Sequence, residues 1–598
     1  MAHTGGDRPL RIAALVKQIP KFVEMRLGAD GRLVRDGLEL HMNDYCRRGV
    51  RAGCDLAEAS GGSCTAITLG PPSADTVLRE AILCGCKGGI HVSDPAFAGS
   101  DTLATARALA AALERGGPWD LVLCGRNSVD ADTGQVPAQL AELLQLPLLT
   151  GARQLEVDGD TVHALLEHDD EWVRVEVDLP AVVSCAERLC DPCKVKDPEA
   201  WATVDPARIE VVDAADLGPG PWGTDGSPTT VGRIRVLDVD RSGERLDGVG
   251  PGQVDRVLEV LRARGAFDMQ VEGPVDEVAR PVGDGGGGDV VVLGEPDRHR
   301  VNSELLGAGA GLAAAIGGRC VMSIDVVDDW EALSGQGVDR VLRHAGTTGA
   351  EDVARMLEGR LTREPPWAVL APGTAWGREV AARLATRMGA GLTGDAIGLE
   401  VRDGRLVAFK PAFGGRMVAE ITCTSAVQMA TVRPGILPAL RPRPNGPFAV
   451  EHLEAVPGSR TRIIERHRDD DRDQLANADV VIGVGVGVDP TDLPEIEAHA
   501  AAIGAELCAT RRVTDAGWMP RARQVGITGH SIAPRLYLAI GTSGKFNHTV
   551  GIRSAGTVVG INPDPDCELW SACDIGMVGD WRAAFDLLIP RLADELAR

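Results

Sequence analysis

Late in the chain the sequence reads Arg535-Leu-Tyr-Leu-Ala-Ile-Gly541-Thr-Ser-Gly-Lys-Phe-Asn-His548. The apolar run predicts a buried β-strand, and the small residues after it predict a turn that opens a helix. A second apolar run, Thr557-Val-Val-Gly-Ile561, ends in Asn562-Pro-Asp564. Strand, helix and strand in this order indicate a parallel sheet, whose ligands bind at the carboxyl ends of its strands. Because the turn exposes backbone N–H groups at a helix start, we predict that a pyrophosphate binds there.

Strands and helices alternate in three stretches of the chain, over residues 10–145, 289–388 and 470–598. This alternation predicts the α/β class, with three doubly wound parallel-sheet domains of which the first two share their order of elements. Tighter polar and apolar alternation over 154–186 and 396–423 predicts antiparallel strands.

Stretches rich in proline and glycine predict the domain boundaries. The tract Pro281-Val-Gly-Asp-Gly-Gly-Gly-Gly288 predicts a flexible linker between two structured halves. We therefore expect domains at 1–268, 289–448 and 449–598, with a Gly-rich linker at 269–288. The Pro-containing connection over 444–458 is a candidate hinge ahead of the last domain.

Composition excludes several classes of partner. The chain has 598 residues and a formal net charge of -24, which disfavours nucleic acid and anionic membranes. Aromatic residues make up only 3%, so an aromatic platform for single-stranded nucleic acid is not expected. The sequence shows neither a basic-then-apolar leader nor an apolar run of about 18 residues. The expected location is the cytoplasm.

The fourteen cysteines include two close pairs, Cys84-Gly-Cys86 and Cys190-Asp-Pro-Cys193. A CxxC pair can be redox-active or can form half of a metal site. No second pair lies near Cys190 and Cys193 in sequence, so we expect no metal site. The role of these two residues stays open.

Two further motifs could bind phosphate. Val129-Asp130-Ala-Asp132-Thr133-Gly-Gln135 follows a predicted strand and opens a helix, which suits a nucleotide, although an ordinary helix cap explains it equally well. Ile482-Gly-Val-Gly-Val-Gly487 resembles a dinucleotide fingerprint but lacks its third spacing, and a buried Gly-containing strand explains it equally well.

Longer motifs identify a family. Those in the first half are Leu15-Val-Lys17-Gln18-Ile-Pro20, Met42-Asn43, Leu69-Gly70-Pro71-Pro72, Ala98-Gly-Ser-Asp101-Thr-Leu-Ala104-Thr105 and Cys124-Gly125-Arg126-Asn-Ser-Val-Asp130-Ala-Asp132-Thr133-Gly-Gln135-Val136. Those in the second half are Leu370-Ala-Pro-Gly373, Gly391-Leu-Thr393-Gly394-Asp395, Gln428-Met-Ala-Thr-Val-Arg433-Pro434-Gly435 and the stretch from Arg511 to Asp580. The first half resembles the beta subunit of electron-transfer flavoproteins, and the second half resembles the alpha subunit. The chain thus resembles a natural fusion, beta then alpha.

The resemblance implies a fold, two cofactors and a function. It implies two similar adenine-nucleotide-hydrolase-like units and a C-terminal FAD-binding unit, with one FAD in the last unit and one AMP in the beta part. Such a protein carries electrons from a flavin-dependent dehydrogenase to a redox protein or quinone oxidoreductase, and is a carrier rather than a free-standing enzyme. An alternative is an electron-bifurcating flavoprotein, an oxidoreductase with a second FAD in the beta-side site and NADH as donor. A third possibility is a nucleotide-binding module with no redox role.

The resemblance also implies site residues. Three would act on the flavin ring: Arg511, Thr528 and His548. Arg511 would supply a permanent positive charge that raises the flavin potential, His548 a charge set by pH, and Thr528 a hydrogen bond to the ring. The residues implied to hold FAD are Thr510, Arg511, Val525, Gly526, Ile527, Thr528, Ser543, Gly544, Lys545, Phe546, Asn547, His548, Asn562, Asp580 and Trp581. Those implied at the beta-side nucleotide are Leu15, Asn43, Gly125, Val129, Asp130, Asp132, Thr133 and Gln135.

Three stretches depart from the family pattern. The beta-type partner-recognition loop is usually a leucine-containing segment ahead of a lysine cluster, and here it reads Leu189-Cys190-Asp-Pro-Cys193-Lys-Val-Lys-Asp-Pro-Glu-Ala-Trp201, so the resemblance does not carry over the usual acyl-CoA dehydrogenase partners. Val486 stands where the alpha-type turn usually has an arginine, and Lys545 could replace that phosphate contact. Arg47 and Arg48 follow Asn43 at a helix start, where two cations oppose the helix dipole, so we expect them to face a phosphate or a partner.

Overall fold

The computed structural model consists mainly of parallel sheets covered by helices. It describes residues 8–20, 38–128, 130–169, 171–236, 241, 243–267, 277–280, 285–326, 330, 332–344, 346, 349–412, 417–438, 440–454, 458–468, 474–475, 478–526, 529 and 531–597. The predicted α/β class is confirmed. The chain forms two compact units, one of residues 1–236 with 276–467 and one of residues 237–275 with 468–598.

The first unit contains a ten-stranded sheet. Its strands are, in spatial order, Ile209–Val212, Gly88–Val92, Ser63–Leu69, Arg11–Leu15, Leu121–Gly125, Ala181–Cys185, Leu148–Asp158, Thr161–Glu167, Glu171–Asp178 and Arg462–Arg468. The antiparallel strands predicted over 154–186 are present, except that Ala181–Cys185 runs parallel to both of its neighbours inside the sheet. That strand is buried at every residue, which is typical of a central parallel strand.

A seven-stranded parallel sheet and a four-stranded antiparallel sheet complete the first unit's main sheets. The parallel sheet has the order Gly391–Ala396, Gln428–Val432, Ala368–Pro372, Asp289–Leu293, Arg319–Ile324, Arg340–Arg343 and Ala449–His452. The antiparallel sheet has the order Thr229–Val236, Met417–Cys423, Arg405–Ala412 and Gly398–Arg402. A small antiparallel pair joins Gln18–Pro20 to Leu40–Met42.

The helices of the first unit cover these sheets, and some of them begin or end at recognisable caps. They are Asp44–Ser60, Asp75–Leu83, Thr102–Gly116, Val136–Leu143, Pro198–Ala202, Ala214–Leu217, His299–Ile316, Ala332–Gly335, Ala350–Arg363 and Ala375–Met388. The Asp101 carboxylate, for example, accepts from the N–H groups of Leu103 and Ala104. Gly317 ends its helix at φ 68°, which a residue with a side chain rarely adopts.

The second unit contains a six-stranded parallel sheet. Its order is Glu244–Asp247, Ile575–Val578, Thr557–Asn562, Leu536–Ile540, Val480–Val484 and Glu506–Ala509. Its helices are Pro251–Ala263, Leu493–Ala502, Arg511–Asp515, Phe546–Thr549 and Trp581–Leu596. The segment with Glu244–Asp247 and Pro251–Ala263, which we expected at the end of the first domain, thus packs in the C-terminal unit.

The expected linker and hinge are partly paired in the structure. Residues 269–276 and 281–284 of the linker lie outside the described residues. In the rest, Val278 is buried and its N–H donates to the Arg441 carbonyl at 2.9 Å. A side chain at Gly287 would clash with the Ile316 carbonyl, so close packing explains this glycine. The hinge region contains Ala449–His452, a strand of the seven-stranded sheet.

No helix among the described residues is long and apolar enough to span a membrane.

Candidate functional site

The strand order of the second unit reverses at one of its central strands. Val480–Val484 is the first of its strands after residue 468, with Glu506–Ala509 on one side and Leu536–Ile540 on the other. Ligands of open parallel sheets bind at such a switch point, beyond the carboxyl ends of the strands. The turn that we predicted for a pyrophosphate, Gly541 to Lys545, begins at this point.

The glycines after Val480–Val484 allow close backbone packing at this switch point. The Gly485 N–H donates to the Ile540 carbonyl at 2.9 Å, and the Gly487 N–H donates to the Gly541 carbonyl at 3.0 Å. A side chain at Gly485 would clash with the Gly541 carbonyl. Close contact between two turns therefore explains these glycines, without a dinucleotide fingerprint.

The turn from Gly541 to Lys545 offers donors to an anion. Gly541 and Gly544 have φ of 60° and 71°, and Ser543 and Lys545 are exposed. Within the described residues, the backbone N–H groups of Ser543, Gly544 and Lys545 have no hydrogen-bond partner. Successive free N–H groups in such a turn form a concave anion site.

Thr542 belongs to this turn, although the sequence motifs did not single it out. Its hydroxyl is buried and lacks a partner among the described residues. Its carbonyl accepts a 2.8 Å hydrogen bond from the Asn562 side-chain amide, which ties the turn to the end of the next strand. The sequence could not identify Thr542, because a missing hydrogen-bond partner among the described residues becomes visible only in the folded structure.

His548 is buried, and both of its ring nitrogens have hydrogen-bond partners that suit the neutral ring. Its Nε2 lies 2.8 Å from the Tyr537 hydroxyl, and its Nδ1 lies 3.0 Å from the Val525 carbonyl. The carbonyl can only accept, so Nδ1 carries the proton and Nε2 accepts from Tyr537. Burial lowers the pKa of His548, and the hydrogen bond to Val525 opposes this only in part. The charge that we expected here therefore requires a pH below the ordinary histidine value.

We expect the free energy of unfolding to fall as the pH decreases below about 6.5. His548 in the unfolded chain then binds a proton, whereas buried His548 in the folded chain stays unprotonated until a lower pH. The folded pKa is the lower one, so the contribution is complete above pH 6.5 and decreases down to the folded pKa. The slope is at most about 1.4 kcal/mol per pH unit for one histidine. Unfolding of wild type and His548→Gln between pH 5 and 8 measures it. Parallel curves for the two proteins would contradict the assignment.

Arg511 lies at the start of the short helix Arg511–Asp515, after the strand Glu506–Ala509. The Thr510 N–H donates to the Val484 carbonyl at 3.0 Å, which fixes this segment beside the central strand. The Arg511 side chain is 53% exposed and its Nε lies 3.1 Å from the Asp515 carboxylate. The sequence motifs did not single out Asp515, which brings a negative charge next to the predicted cation.

Some of the other residues predicted to hold FAD are buried or cap a helix, and others lie outside the described residues. Val525 is buried, and Gly526 has φ 137° beside it. Ile527 and Thr528 lie outside the described residues, as do the side chains of Phe546 and Asn547. Asp580 caps the helix Trp581–Leu596, and buried Trp581 packs against the Phe585 ring in the core. These last two side chains are engaged by their own helix.

The first unit has a second switch point, between Arg11–Leu15 and Leu121–Gly125. Lys17 extends from the first strand and its Nζ lies 2.9 Å from the Asp130 carboxylate and 3.0 Å from the Ser128 hydroxyl. Burial alone would raise the pKa of Asp130, but the Lys17 charge and the hydrogen bonds outweigh it, so this pKa lies below its ordinary value. Lys17 thus holds the predicted nucleotide loop at the carboxyl end of the sheet.

The other residues predicted at the beta-side nucleotide shape this loop or end the strand beside it. Asn43 is buried and donates to the Asn127 carbonyl at 2.8 Å, and a side chain at Gly125 would contact Tyr45. Asp132, at φ 45°, accepts a short hydrogen bond from Asn127. These residues shape the loop, while buried Leu15 ends the strand beside it.

Gln135 joins the two halves of the first unit. It is buried, accepts from the Thr102 hydroxyl at 2.6 Å and donates to the Leu392 carbonyl at 3.3 Å. Thr133 lies against Gly394 of the same neighbouring strand. Gln135 is therefore engaged by the protein itself, and Val129 lies outside the described residues.

The seven-stranded sheet has the equivalent switch point, between Asp289–Leu293 and Ala368–Pro372. There the Asp169 carboxylate accepts from the Ala375 N–H at 2.5 Å, at the start of the helix Ala375–Met388. Burial would raise the pKa of Asp169, but Arg126 and Arg378 lower it below the ordinary value. A protein carboxylate thus stands at the helix start, where an anionic ligand would bind.

The structure corrects the expectation for Arg47 and Arg48 and answers one open question about Cys193. Arg47 is buried and pairs with Glu80, and Arg48 is buried and donates to the Asp44 carbonyl at 2.9 Å, so neither faces a phosphate or a partner. Cys193 forms a disulfide with Cys84, at 2.13 Å, and not with Cys190. The tertiary fold supplies the partners of all three residues.

Comparison with known proteins identifies the family. The sequence model of the electron transfer flavoprotein domain matches residues 30–217 and 297–458, more than half of the chain. The chain belongs to the electron transfer flavoprotein family. The model of the electron transfer flavoprotein FAD-binding domain matches residues 474–553, which include the turn from Gly541 to Lys545.

Curated relatives match in two separate parts. The electron transfer flavoprotein subunit beta of Thermoanaerobacterium thermosaccharolyticum is 31% identical over 258 residues, 43% of this chain and 99% of the relative. Subunit alpha of the same organism is 34% identical over 262 residues, 43% of this chain and 79% of the relative. Subunit LctC of the lactate dehydrogenase (NAD(+),ferredoxin) of Acetobacterium woodii is 32% identical over 301 residues, 47% of this chain and 71% of the relative. Beta-type relatives cover the N-terminal part and alpha-type relatives the later part, consistent with a beta–alpha fusion.

Proposed function

We propose that this chain is a single-polypeptide electron carrier with one FAD in its C-terminal unit and one AMP in its beta-type site. It accepts electrons from a flavin-dependent dehydrogenase and passes them to a redox protein or quinone oxidoreductase, in the cytoplasm. The observation that supports this most directly is the turn from Gly541 to Lys545. Its N–H groups, which have no partner in the part of the chain that the structure describes, lie at a switch point inside the region that matches the FAD-binding domain.

The described residues fit FAD at this place. The N–H groups of Ser543, Gly544 and Lys545 would hold the pyrophosphate, and Lys545 would add a positive charge. Arg511 would contribute a guanidinium that favours a reduced, negatively charged ring. When bound, the flavin supplies the electron-transfer chemistry, while the protein supplies its position and electrostatics.

The beta-type site fits an adenine nucleotide. The loop anchored by Lys17 and Asp130 lies at a switch point, where backbone N–H groups and side-chain oxygens can hold phosphate and ribose. The equivalent place in the seven-stranded sheet already has Asp169 at its helix start. This difference favours one nucleotide in the first unit.

Analysis of the nucleotides released from the purified chain tests the proposal. One FAD and one AMP per polypeptide are expected, with reduction by a flavin-dependent dehydrogenase. LctC is a subunit of a lactate dehydrogenase whose name includes both NAD(+) and ferredoxin. The similarity to LctC favours the bifurcating oxidoreductase as the second candidate. Two FAD per polypeptide and reduction by NADH would support that candidate instead, and a colourless protein would contradict both.

We expect Lys17→Met to lower the AMP content several-fold while FAD content stays unchanged, because the loop around Asp130 loses its anchor. Lys87→Met, at an exposed lysine elsewhere in the first unit, is the matched control. Nucleotide analysis of each purified variant measures the effect. Equal AMP in wild type and Lys17→Met would remove Lys17 from the site.

A further inference from the structure

Three cysteines that are far apart in sequence meet in the first unit. Cys54 lies in the helix Asp44–Ser60, Cys64 in the strand Ser63–Leu69, and Cys86 just before the strand Gly88–Val92. The Cys86 sulfur lies 3.8 Å from that of Cys54 and 3.7 Å from that of Cys64, and all three lie within 4.8 Å of one another. All are free thiols, with Cys64 and Cys86 buried and Cys54 half-buried.

We propose that Cys54, Cys64 and Cys86 bind one Zn²⁺ ion as thiolates. Zinc takes four ligands in a tetrahedron, with Zn–S distances of about 2.3 Å. Adjacent sulfurs of that tetrahedron lie about 3.8 Å apart, which two of the measured separations match. An iron–sulfur cluster needs more widely spaced thiolates, because inorganic sulfide and several irons lie between them.

The backbone around the sulfurs is held in place. The Lys87 N–H donates to the Cys64 carbonyl at 2.8 Å, and Arg208 donates to the Cys86 carbonyl at 2.8 Å. The Cys86 N–H donates to the Ala81 carbonyl at 3.1 Å. Two ligands are therefore fixed relative to each other without metal, and the third sits on a rigid helix. Pre-positioned ligands of this kind lose little entropy when a metal binds.

Two glycines leave room for the sulfurs. A Cβ at Gly53 would lie 2.8 Å from the Cys64 sulfur, and a Cβ at Gly85 would lie 3.3 Å from the Cys54 sulfur. Gly85 also has φ 118°, which a residue with a side chain rarely adopts. Glycine is thus present at both positions that border the three sulfurs.

The fourth position goes to a water molecule on the side of half-buried Cys54. Cys84, two residues before Cys86, is bonded to Cys193 and supplies no thiolate. Binding Zn²⁺ would release the three thiol protons to solvent and form three Zn–S bonds, with no change in oxidation state. The ion would then clamp the helix Asp44–Ser60, which starts next to Asn43, to the sheet.

Metal analysis of the full chain tests the proposal. The protein, purified without chelator or added reductant so that the Cys84–Cys193 disulfide stays intact, and incubated with ZnSO₄, is expected to retain one zinc per polypeptide after desalting. Cys54→Ser and Cys86→Ser should each weaken zinc binding by at least about tenfold. Cys320→Ser, at a buried free thiol of the seven-stranded sheet, is the matched control and should retain zinc.

Cobalt gives a second readout. Co²⁺ bound by thiolates in a tetrahedron absorbs red light beyond the oxidised flavin band, so the spectrum reports the site in the yellow holoprotein. Circular dichroism and FAD content of Cys54→Ser should equal those of wild type, which separates ligand loss from unfolding. Background zinc in wild type, or equal zinc in wild type and Cys54→Ser, would overturn the proposal. A disulfide between two of the three cysteines in the purified protein would also overturn it.

Discussion

A fragment of residues 468–598 is expected not to fold cooperatively on its own, whereas the same fragment joined to residues 237–275 is expected to fold. The reason is the segment Glu244–Ala263, which supplies an edge strand and a helix to the six-stranded sheet. Val254, Val257, Leu258 and Leu261 of that helix are at most 1% exposed. Four such side chains contribute about 6–12 kcal/mol, comparable to the stability of a whole domain.

An ion pair adds to this dependence. The Asp574 carboxylate is fully buried and lies 2.5 Å from the guanidinium of Arg241 and 3.1 Å from that of Arg264. Without residues 237–275 it would be a buried charge with neither partner, which costs about 3–5 kcal/mol or forces protonation. The lost apolar packing and the lost ion pair both destabilise the fragment of residues 468–598.

Far-UV circular dichroism and thermal unfolding of the two fragments measure the effect. The fragment with residues 237–275, connected through a Gly/Ser linker, should unfold in one cooperative transition. The full chain with Arg241→Ala is a milder version and should lose about 3 kcal/mol of stability in this unit. A cooperative transition at the same temperature in both fragments would contradict the packing.

Replacing Arg511 by Met is expected to lower the one-electron potential of the bound flavin by about 60 mV or more. An opposite charge beside an ionisable group shifts its equilibrium by about one to three pKa units, and one tenfold change equals about 59 mV for one electron. Because Arg511 is 53% exposed, solvent screens its charge and the lower end of this range applies.

Asp515 provides the matched comparison. Its carboxylate lies 3.1 Å from Arg511 and 2.8 Å from Arg521, so it offsets part of the positive charge. Asp515→Asn should therefore raise the potential, by less than Arg511→Met lowers it, and Arg511→Lys should retain most of the wild-type value. Spectroelectrochemical titration of the three variants measures these shifts. An unchanged potential in Arg511→Met would place this guanidinium away from the ring.

The fold class and the position of two loops at strand ends could be predicted from the residues alone. Alternating apolar runs predicted the parallel sheets, because the period of a buried strand and of a helix is visible in the residues themselves. The turn from Gly541 to Lys545 and the loop around Asp130 were predicted at strand ends, where the structure has them. Long motifs predicted the electron transfer flavoprotein family, which the comparison confirmed.

Which charged and polar groups are paired depends on the folded chain and could not be predicted from local sequence. Burial in the folded chain lowers the pKa of His548, and Arg47 is buried because Glu80 pairs with it. The packing of residues 237–275 into the C-terminal unit and the meeting of Cys54, Cys64 and Cys86 depend on contacts between distant segments. Local sequence specifies secondary structure through periodicity and caps, whereas charge state and ligand sets depend on long-range contacts.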